Sequence, residues 1–242
     1  MKPVSLKFVH GFMGLPSDWD DVRIGLPEFD CGAVSIPAAE DWNSGIESLA
    51  QQGSDPEAAR VWVGYSMGAR ISLGLAIECP NQCQGLVFIS GNPGLENEDS
   101  ANSRSIADEQ VAQKLESTPT RLFLNDWYDQ PVFESTPKSI RELAIRKKLD
   151  HKSSEWPAIL RTYSVAKQPN YWHKINKLTI PLLVIAGARD QKYSGIANRI
   201  ERLGSVSPIS VQVVPECGHV IHLEKPDVVA DLIRQFTRDN FG

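Results

Sequence analysis

Short apolar runs recur along the chain, and each ends in turn-forming residues. They are Leu6–Val9, Ala33–Ile36, Arg60–Val63, Leu86–Ser90, Leu182–Ala186 and Ile209–Val214. Most are rich in Val and Ile and lack clean polar alternation, as parallel strands covered on both faces do. Segments with helical spacing separate them: Ser17–Val22, Trp42–Gln52, Met67–Glu78, Ile196–Leu203 and Asp227–Thr237. Pro226 stands where a helix accepts proline, in its first turn. This alternation predicts an α/β fold with a mostly parallel, doubly wound sheet.

The pattern changes in the middle of the chain. Strand signals fade there, and Ser103–Leu115, Thr120–Tyr128, Lys138–Lys148 and Glu155–Ala166 read as helices. The reading is a helical cap, residues 96–175, inserted after the fourth strand into a core made of residues 1–95 and 176–242. Such an insert would sit over the carboxyl ends of the strands, where open α/β sheets place their sites. Residues 96–174 hold 12 Lys and Arg against 12 Asp and Glu, so the remaining 13 against 18 carry the whole net charge of -5.

Composition narrows the class. The 242 residues are 41% hydrophobic and 23% charged, which excludes a disordered or coiled-coil chain and allows a sizeable core. The negative charge argues against a nucleic-acid partner, because no overall positive field would draw in phosphates. Cys31, Cys79, Cys83 and Cys217 are scattered and complete no metal set, so they read as small buried side chains. No leader-like core follows Met1, and no apolar run approaches the ~18 residues that span a bilayer. The expectation is a cytoplasmic protein with free thiols and no membrane span. The oligomeric state is left open, with a monomer as the default.

The strongest chemical signal is Gly64-Tyr65-Ser66-Met67-Gly68, which follows one apolar run and opens a helix. That is the context of a nucleophile elbow: glycines permit a cramped turn that lifts the Ser66 hydroxyl clear of the sheet. A serine needs a base, and the base needs an orienter. Asp190 stands just past the fifth run and His219 just past the sixth, so all three fall on one rim. His222 competes with His219 for the role of base, and Gly218 favours His219 by freeing its backbone. Glu216 competes with Asp190, which could instead cap a helix. The oxyanion hole would use the amides of Met67 and of Phe12, in the loop His10-Gly11-Phe12-Met13-Gly14. His10 itself reads as a structural loop histidine.

These motifs resemble the α/β-hydrolase-fold superfamily over nearly the full chain. Within it the chain resembles the MenH family, the 2-succinyl-6-hydroxy-2,4-cyclohexadiene-1-carboxylate synthases of menaquinone and phylloquinone biosynthesis. The elbow followed by Ala69-Arg70 carries this narrower resemblance, with Gly91-Asn92-Pro93-Gly94-Leu95, Asp126–Phe133 and Gln168-Pro169. The resemblance implies a lyase that removes pyruvate from 2-succinyl-5-enolpyruvyl-6-hydroxy-3-cyclohexene-1-carboxylate. Its triad acts as a base, and no metal or organic cofactor is implied. The substrate is a small tricarboxylate, so the pocket should hold several cations. Arg70 lies one helical turn beyond Ser66 and can flank it; its planar fork suits carboxylates. Arg104, Trp127 and a third cap arginine follow from the resemblance. Arg146 is the candidate for the third, with Lys147 and Lys148 as the alternatives in register. Tyr65 would add a hydroxyl or an aromatic wall.

Two departures from the wider pattern are visible. A D-x-P-G-H-G-x-S loop of many relatives is replaced by Ser35-Ile36-Pro37-Ala38-Ala39-Glu40-Asp41-Trp42. The strand before His10 also begins near Met1, with no room for the hairpin that often precedes it. The alternative enzyme reading is a serine hydrolase of carboxylic esters or C–C bonds acting through an acyl-enzyme. A non-catalytic binding module is the third, and the complete set of Ser, Asp and His counts against it.

Overall fold

The computed structural model describes residues 3–53, 58–151, 153–204 and 207–242. Six parallel strands form one sheet: β1 (Val4–Val9), β2 (Asp30–Val34), β3 (Ala59–Tyr65), β4 (Gly85–Ile89), β5 (Leu182–Gly187) and β6 (Ile209–Val214). Their order is β2-β1-β3-β4-β5-β6. The chain moves outward from β1 to β2, then returns across β1 to lay down β3. The order therefore reverses between β1 and β3, the place where open α/β sheets form their crevice.

The uninterrupted apolar runs have a simple cause. Successive residues of a strand face opposite sides, and both sides are covered. Trp62, Leu86, Phe88, Leu182 and Val184 enter one core, while Val61, Val63, Val87, Leu183 and Ile185 enter the other. The first core is closed by α2 (Trp42–Gln51), α3 (Met67–Glu78) and α9 (Gln191–Glu201), which supply Ile46, Leu49, Ile71, Leu73 and Ile200. The second is closed by α1 (Asp20–Ile24) and α11 (Pro226–Phe241), through Val22, Val229, Ile233 and Phe236.

The segment between β4 and β5 is helical, with α4 (Glu98–Ser117), α5 (Thr120–Tyr128), α6 (Lys138–Asp150), α7 (Trp156–Thr162) and α8 (Trp172–Ile175). A short helix, α10 (Ile221–Glu224), follows β6. Helix α4 is capped by Asn97, whose side chain accepts the Ser100 amide at 2.8 Å. Glu98 and Asp99 then face the positive end of the helix dipole. A third apolar cluster joins Met13, from the loop after β1, to Phe123, Leu124 and Trp156.

Some boundaries differ from the sequence reading. The second strand runs from Asp30 to Val34, not from Ala33 to Ile36. It is an edge strand and none of its residues is fully buried, so its apolar signal is weak. Ile36 is buried beyond the strand end, where its amide donates to His10 Nε2. The helix expected at Ile196–Leu203 begins earlier, at Gln191, because Asp190 caps it.

Candidate active site

The link between β3 and α3 is very tight. Ser66 has φ 52° and ψ −108°, a left-handed conformation that non-glycine residues rarely adopt. Its amide donates to Ile89 O at 2.9 Å, and its carbonyl accepts the Arg70 amide, so the turn is held from both sides. A Cβ on Gly68 would lie 2.3 Å from Val9 O, which explains the glycine there: α3 starts against the end of β1. Met67 opens the helix, so its amide has no carbonyl one turn earlier to bond.

His219 follows β6 and Asp190 follows β5. His219 Nδ1 lies 2.6 Å from Asp190 Oδ2, and Nε2 lies 3.4 Å from Ser66 Oγ. The first contact fixes the tautomer: Nδ1–H donates to the carboxylate and leaves Nε2 to accept from the serine. Asp190 and His219 are both buried. The other Asp190 oxygen accepts the Tyr193 amide at 3.3 Å, so this carboxylate caps α9 and orients the histidine at once. Glu216 is exposed and has φ 55° in the turn before Cys217.

The two other candidate histidines have different surroundings. His10 donates from Nδ1 to Gly11 O at 2.8 Å and accepts the Ile36 amide at Nε2, so it braces its loop. Burial pushes its pKa down despite that backbone bond. His222 is buried between the rings of Tyr65 and Trp19, at 4.3 and 4.7 Å, and among the described residues its Nδ1 has no hydrogen-bond partner. Burial lowers its pKa to about 3, against the pull of Asp18. Of the two candidate bases, His219 is the one hydrogen-bonded to Ser66.

Two cavity lobes meet at Ser66, His219 and Trp127. The larger measures about 230 Å³ and is lined by Phe12, Arg70, Arg104, Lys192 and Tyr193. The smaller measures about 50 Å³ and is lined by Tyr65, Tyr128, Lys148, Asp18 and His222. Trp127 meets Phe12 edge-on at 5.3 Å and stacks on Phe123 at 6.1 Å, which fixes its ring between the lobes.

Arg70 is buried, and its fork is held by Gln168 Oε1 at 3.0 Å and Tyr163 O at 2.8 Å. Gln168 in turn donates to Asn92 O. The N-P-G-L and Q-P segments are thus a frame for this arginine. Gly94 makes the frame possible, with φ 133° and no room for a Cβ against Asn170 and Pro169. Burial, then the nearby Arg104, lowers the Arg70 pKa to about 10, so the residue stays charged at neutral pH. Arg104 is anchored by Asp108 at 2.8 Å, and Asp108 also accepts the Ser164 hydroxyl.

Arg146 does not reach the site. It is exposed on α6 and lines neither lobe. Lys148, two residues on, is turned by about 200° around the helix and points inward. It is buried, with Nζ 3.8 Å from Asp18 Oδ2 and 5.9 Å from the centre of the Tyr128 ring. Burial works against its charge, but Tyr128 and Asp18 outweigh burial and raise its pKa. Lys147 bonds Ser17 O and approaches Asp18 from the other side. Lys192 is a lobe-lining cation that sequence reasoning missed. Its signal was available: it stands two residues after Asp190, in the first turn of a helix that starts at the rim.

The chain belongs to the alpha/beta hydrolase family, whose sequence model matches residues 8–232. Within that class it is similar to the 2-succinyl-6-hydroxy-2,4-cyclohexadiene-1-carboxylate synthase of Salmonella agona, with 30% identity over 97% of this chain and 94% of that protein. The synthase of the same name from Enterobacter sp. is 28% identical over 96% of this chain and 91% of its own length. Among solved structures, MenH from S. aureus shares the fold with a TM-score of 0.91 and 23% identity, covering 99% of this chain and 95% of that one. Among the described residues, no helix is long and apolar enough to cross a membrane.

Proposed function

We propose that this chain is a 2-succinyl-6-hydroxy-2,4-cyclohexadiene-1-carboxylate synthase, a lyase that eliminates pyruvate from 2-succinyl-5-enolpyruvyl-6-hydroxy-3-cyclohexene-1-carboxylate. One observation carries the reading. The Ser66–His219–Asp190 chain opens into a two-lobed cavity lined by Arg70, Arg104, Lys192 and Lys148. A neutral ester gives no reason for so many cations; a tricarboxylate does.

The chemistry follows from the substrate's structure. The ring carbon bearing the succinyl ketone carries an acidic proton. His219 Nε2 takes the Ser66 hydroxyl proton as Ser66 Oγ removes this ring proton. The electron pair shifts through the ring double bond and expels the enolpyruvyl oxygen, which leaves the 2,4-diene. Ser66 keeps the ring proton as its hydroxyl, and the His219 imidazolium, stabilised by Asp190, gives its proton to the departing enolpyruvate, which becomes pyruvate. Negative charge builds on the ketone oxygen, where the amides of Phe12 and Met67 would receive it. Arg70, Arg104 and Lys148 bind carboxylates, and Trp127 and Tyr65 wall the ring. Residues 96–175 serve as the cap over a core of residues 1–95 and 176–242. The partner is the small-molecule substrate, in a cytoplasmic setting.

A direct assay of pyruvate release from this substrate tests the proposal. Turnover lost on Ser66→Ala supports it; no pyruvate from the intact chain would sink it. A rapid burst of alcohol from a simple ester, with Ser66 acylated, would favour the hydrolase reading.

A further inference from the structure

The segment that carries His219 is fixed by a carboxylate outside the cavity. Glu224, at the end of α10, accepts the Gly218 amide on Oε2 at 2.9 Å and the Val220 amide on Oε1 at 3.2 Å. These are the residues on either side of His219, so one side chain straps both flanks of the base. The His219 carbonyl is held separately, by the Ser90 hydroxyl at 3.2 Å. Ser90 has φ 48° at the end of β4, an uncommon conformation that carries this hydroxyl.

The strap also reaches the segment between β4 and β5. The Thr136 hydroxyl donates to Glu224 Oε1 at 3.4 Å, and Thr136 is buried. Ser135 lies so close that a Cβ on Gly218 would meet its Oγ at 2.5 Å. Phe133 faces the His219 ring edge-on at 5.8 Å. Residues 133–136 therefore press on the same loop that Glu224 holds. Glu224 itself lines neither lobe of the cavity.

We propose that Glu224 is a positioning residue for His219, and that through Thr136 it ties the placement of the base to the seating of the cap. A carboxylate suits the task because it offers only acceptors when ionised, and the groups hydrogen-bonded to it among the described residues are donors. The Cys217 thiol is one of them, at 3.6 Å from Oε2. Burial, then Glu224, pushes that thiol up to about 12, so it stays protonated and able to donate. The distance from Ser66 Oγ to His219 Nε2 is already long, so small shifts of the loop would break the contact.

This inference rests on the Ser66–His219 pair acting in catalysis, and its test does not need the lyase substrate. The probe is the rate at which a fluorophosphonate labels Ser66, read beside kcat and KM for pyruvate release. Glu224→Ala is expected to slow labelling and kcat together by about 100-fold, the scale of a misplacement near 1 Å, with KM changed by less than about 3-fold. Glu224→Gln keeps one acceptor and should fall between. Thr136→Val should slow both rates several-fold, and Thr136→Ser should restore them. A wild-type labelling rate in folded Glu224→Ala, or a loss confined to KM, would overturn the proposal. If Glu224→Ala does not fold, Glu224→Gln and Thr136→Val decide: parallel losses in labelling and kcat support it, and unchanged labelling overturns it. Absence of pyruvate from the intact chain would end the lyase reading and leave the labelling result standing.

Discussion

The rim of the sheet and the helices between β4 and β5 place their side chains by different means. Ser66, Asp190 and His219 each stand one turn beyond a parallel strand, and the strand register sets where that turn occurs. Arg104, Trp127 and Lys148 stand on helices, where a shift of one residue rotates a side chain by about 100°. A rim residue is fixed by the backbone, while a residue on these helices is fixed by helix phase and by its neighbours. The difference predicts that chemistry lives on the rim and that substrate fit is shared with the helices between β4 and β5.

Ser66→Ala or His219→Ala tests the rim and should have the largest effect. The two act as a unit, so either change should cost about four to six orders of magnitude in kcat. Near-full turnover of the cyclohexene substrate in either variant would remove the triad from the mechanism. Arg70→Ala tests the join between the regions, since α3 carries the arginine and Gln168 and Tyr163 hold it. The expected loss in kcat/KM is about 2–3 kcal/mol, the scale of a charge-assisted hydrogen bond. Unchanged steady-state constants would place Arg70 outside the substrate contacts.

The same contrast explains what the sequence could say. The elbow and the Gly218-His219 turn were legible because their signals are local: a glycine beside a functional residue at the end of an apolar run. The sheet was legible because two covered faces demand Val and Ile. The edge strand β2 was misplaced because it buries little. Residue type favours Arg146, and nothing local says which face of α6 meets Asp18, more than a hundred residues earlier in the chain. Glu224 lies only four and six residues beyond its partners Val220 and Gly218, but no sequence pattern says that the short helix turns its carboxylate back onto them, whereas Lys192 had a local signal two residues after Asp190.

His222 sharpens the contrast on the stability side, because it is a rim histidine that does not titrate normally. An unperturbed histidine titrates near 6.5, and burial lowers His222 to about 3. Above about pH 6.5 the folded and unfolded chains both hold it neutral. Below that, the unfolded chain takes up a proton that the folded one refuses, so stability falls as pH falls towards the folded value. By about pH 5 this amounts to ~2 kcal/mol. His10, also lowered by burial, acts in the same direction. His222→Gln should therefore lose about 2 kcal/mol less than wild type between about pH 7 and pH 5, measured by urea unfolding. An equal loss in both proteins would mean that His222 is not held neutral.

The finest test sets Lys148 against Arg146, two residues apart on one helix. Lys148→Gln removes the buried cation of the small lobe, and KM should rise about 10-fold, near 1.4 kcal/mol. It also leaves Asp18 buried with Lys147 as its remaining cation partner, so unfolding should become easier by about 3 kcal/mol. Arg146→Ala changes an exposed side chain, and both quantities should stay within about 0.5 kcal/mol of wild type. The pair separates residue type from helix phase, because the arginine has the better chemistry for a carboxylate and the lysine has the position. A raised KM in Arg146→Ala with none in Lys148→Gln would reverse the inward face of α6 and, with it, the composition of the smaller lobe.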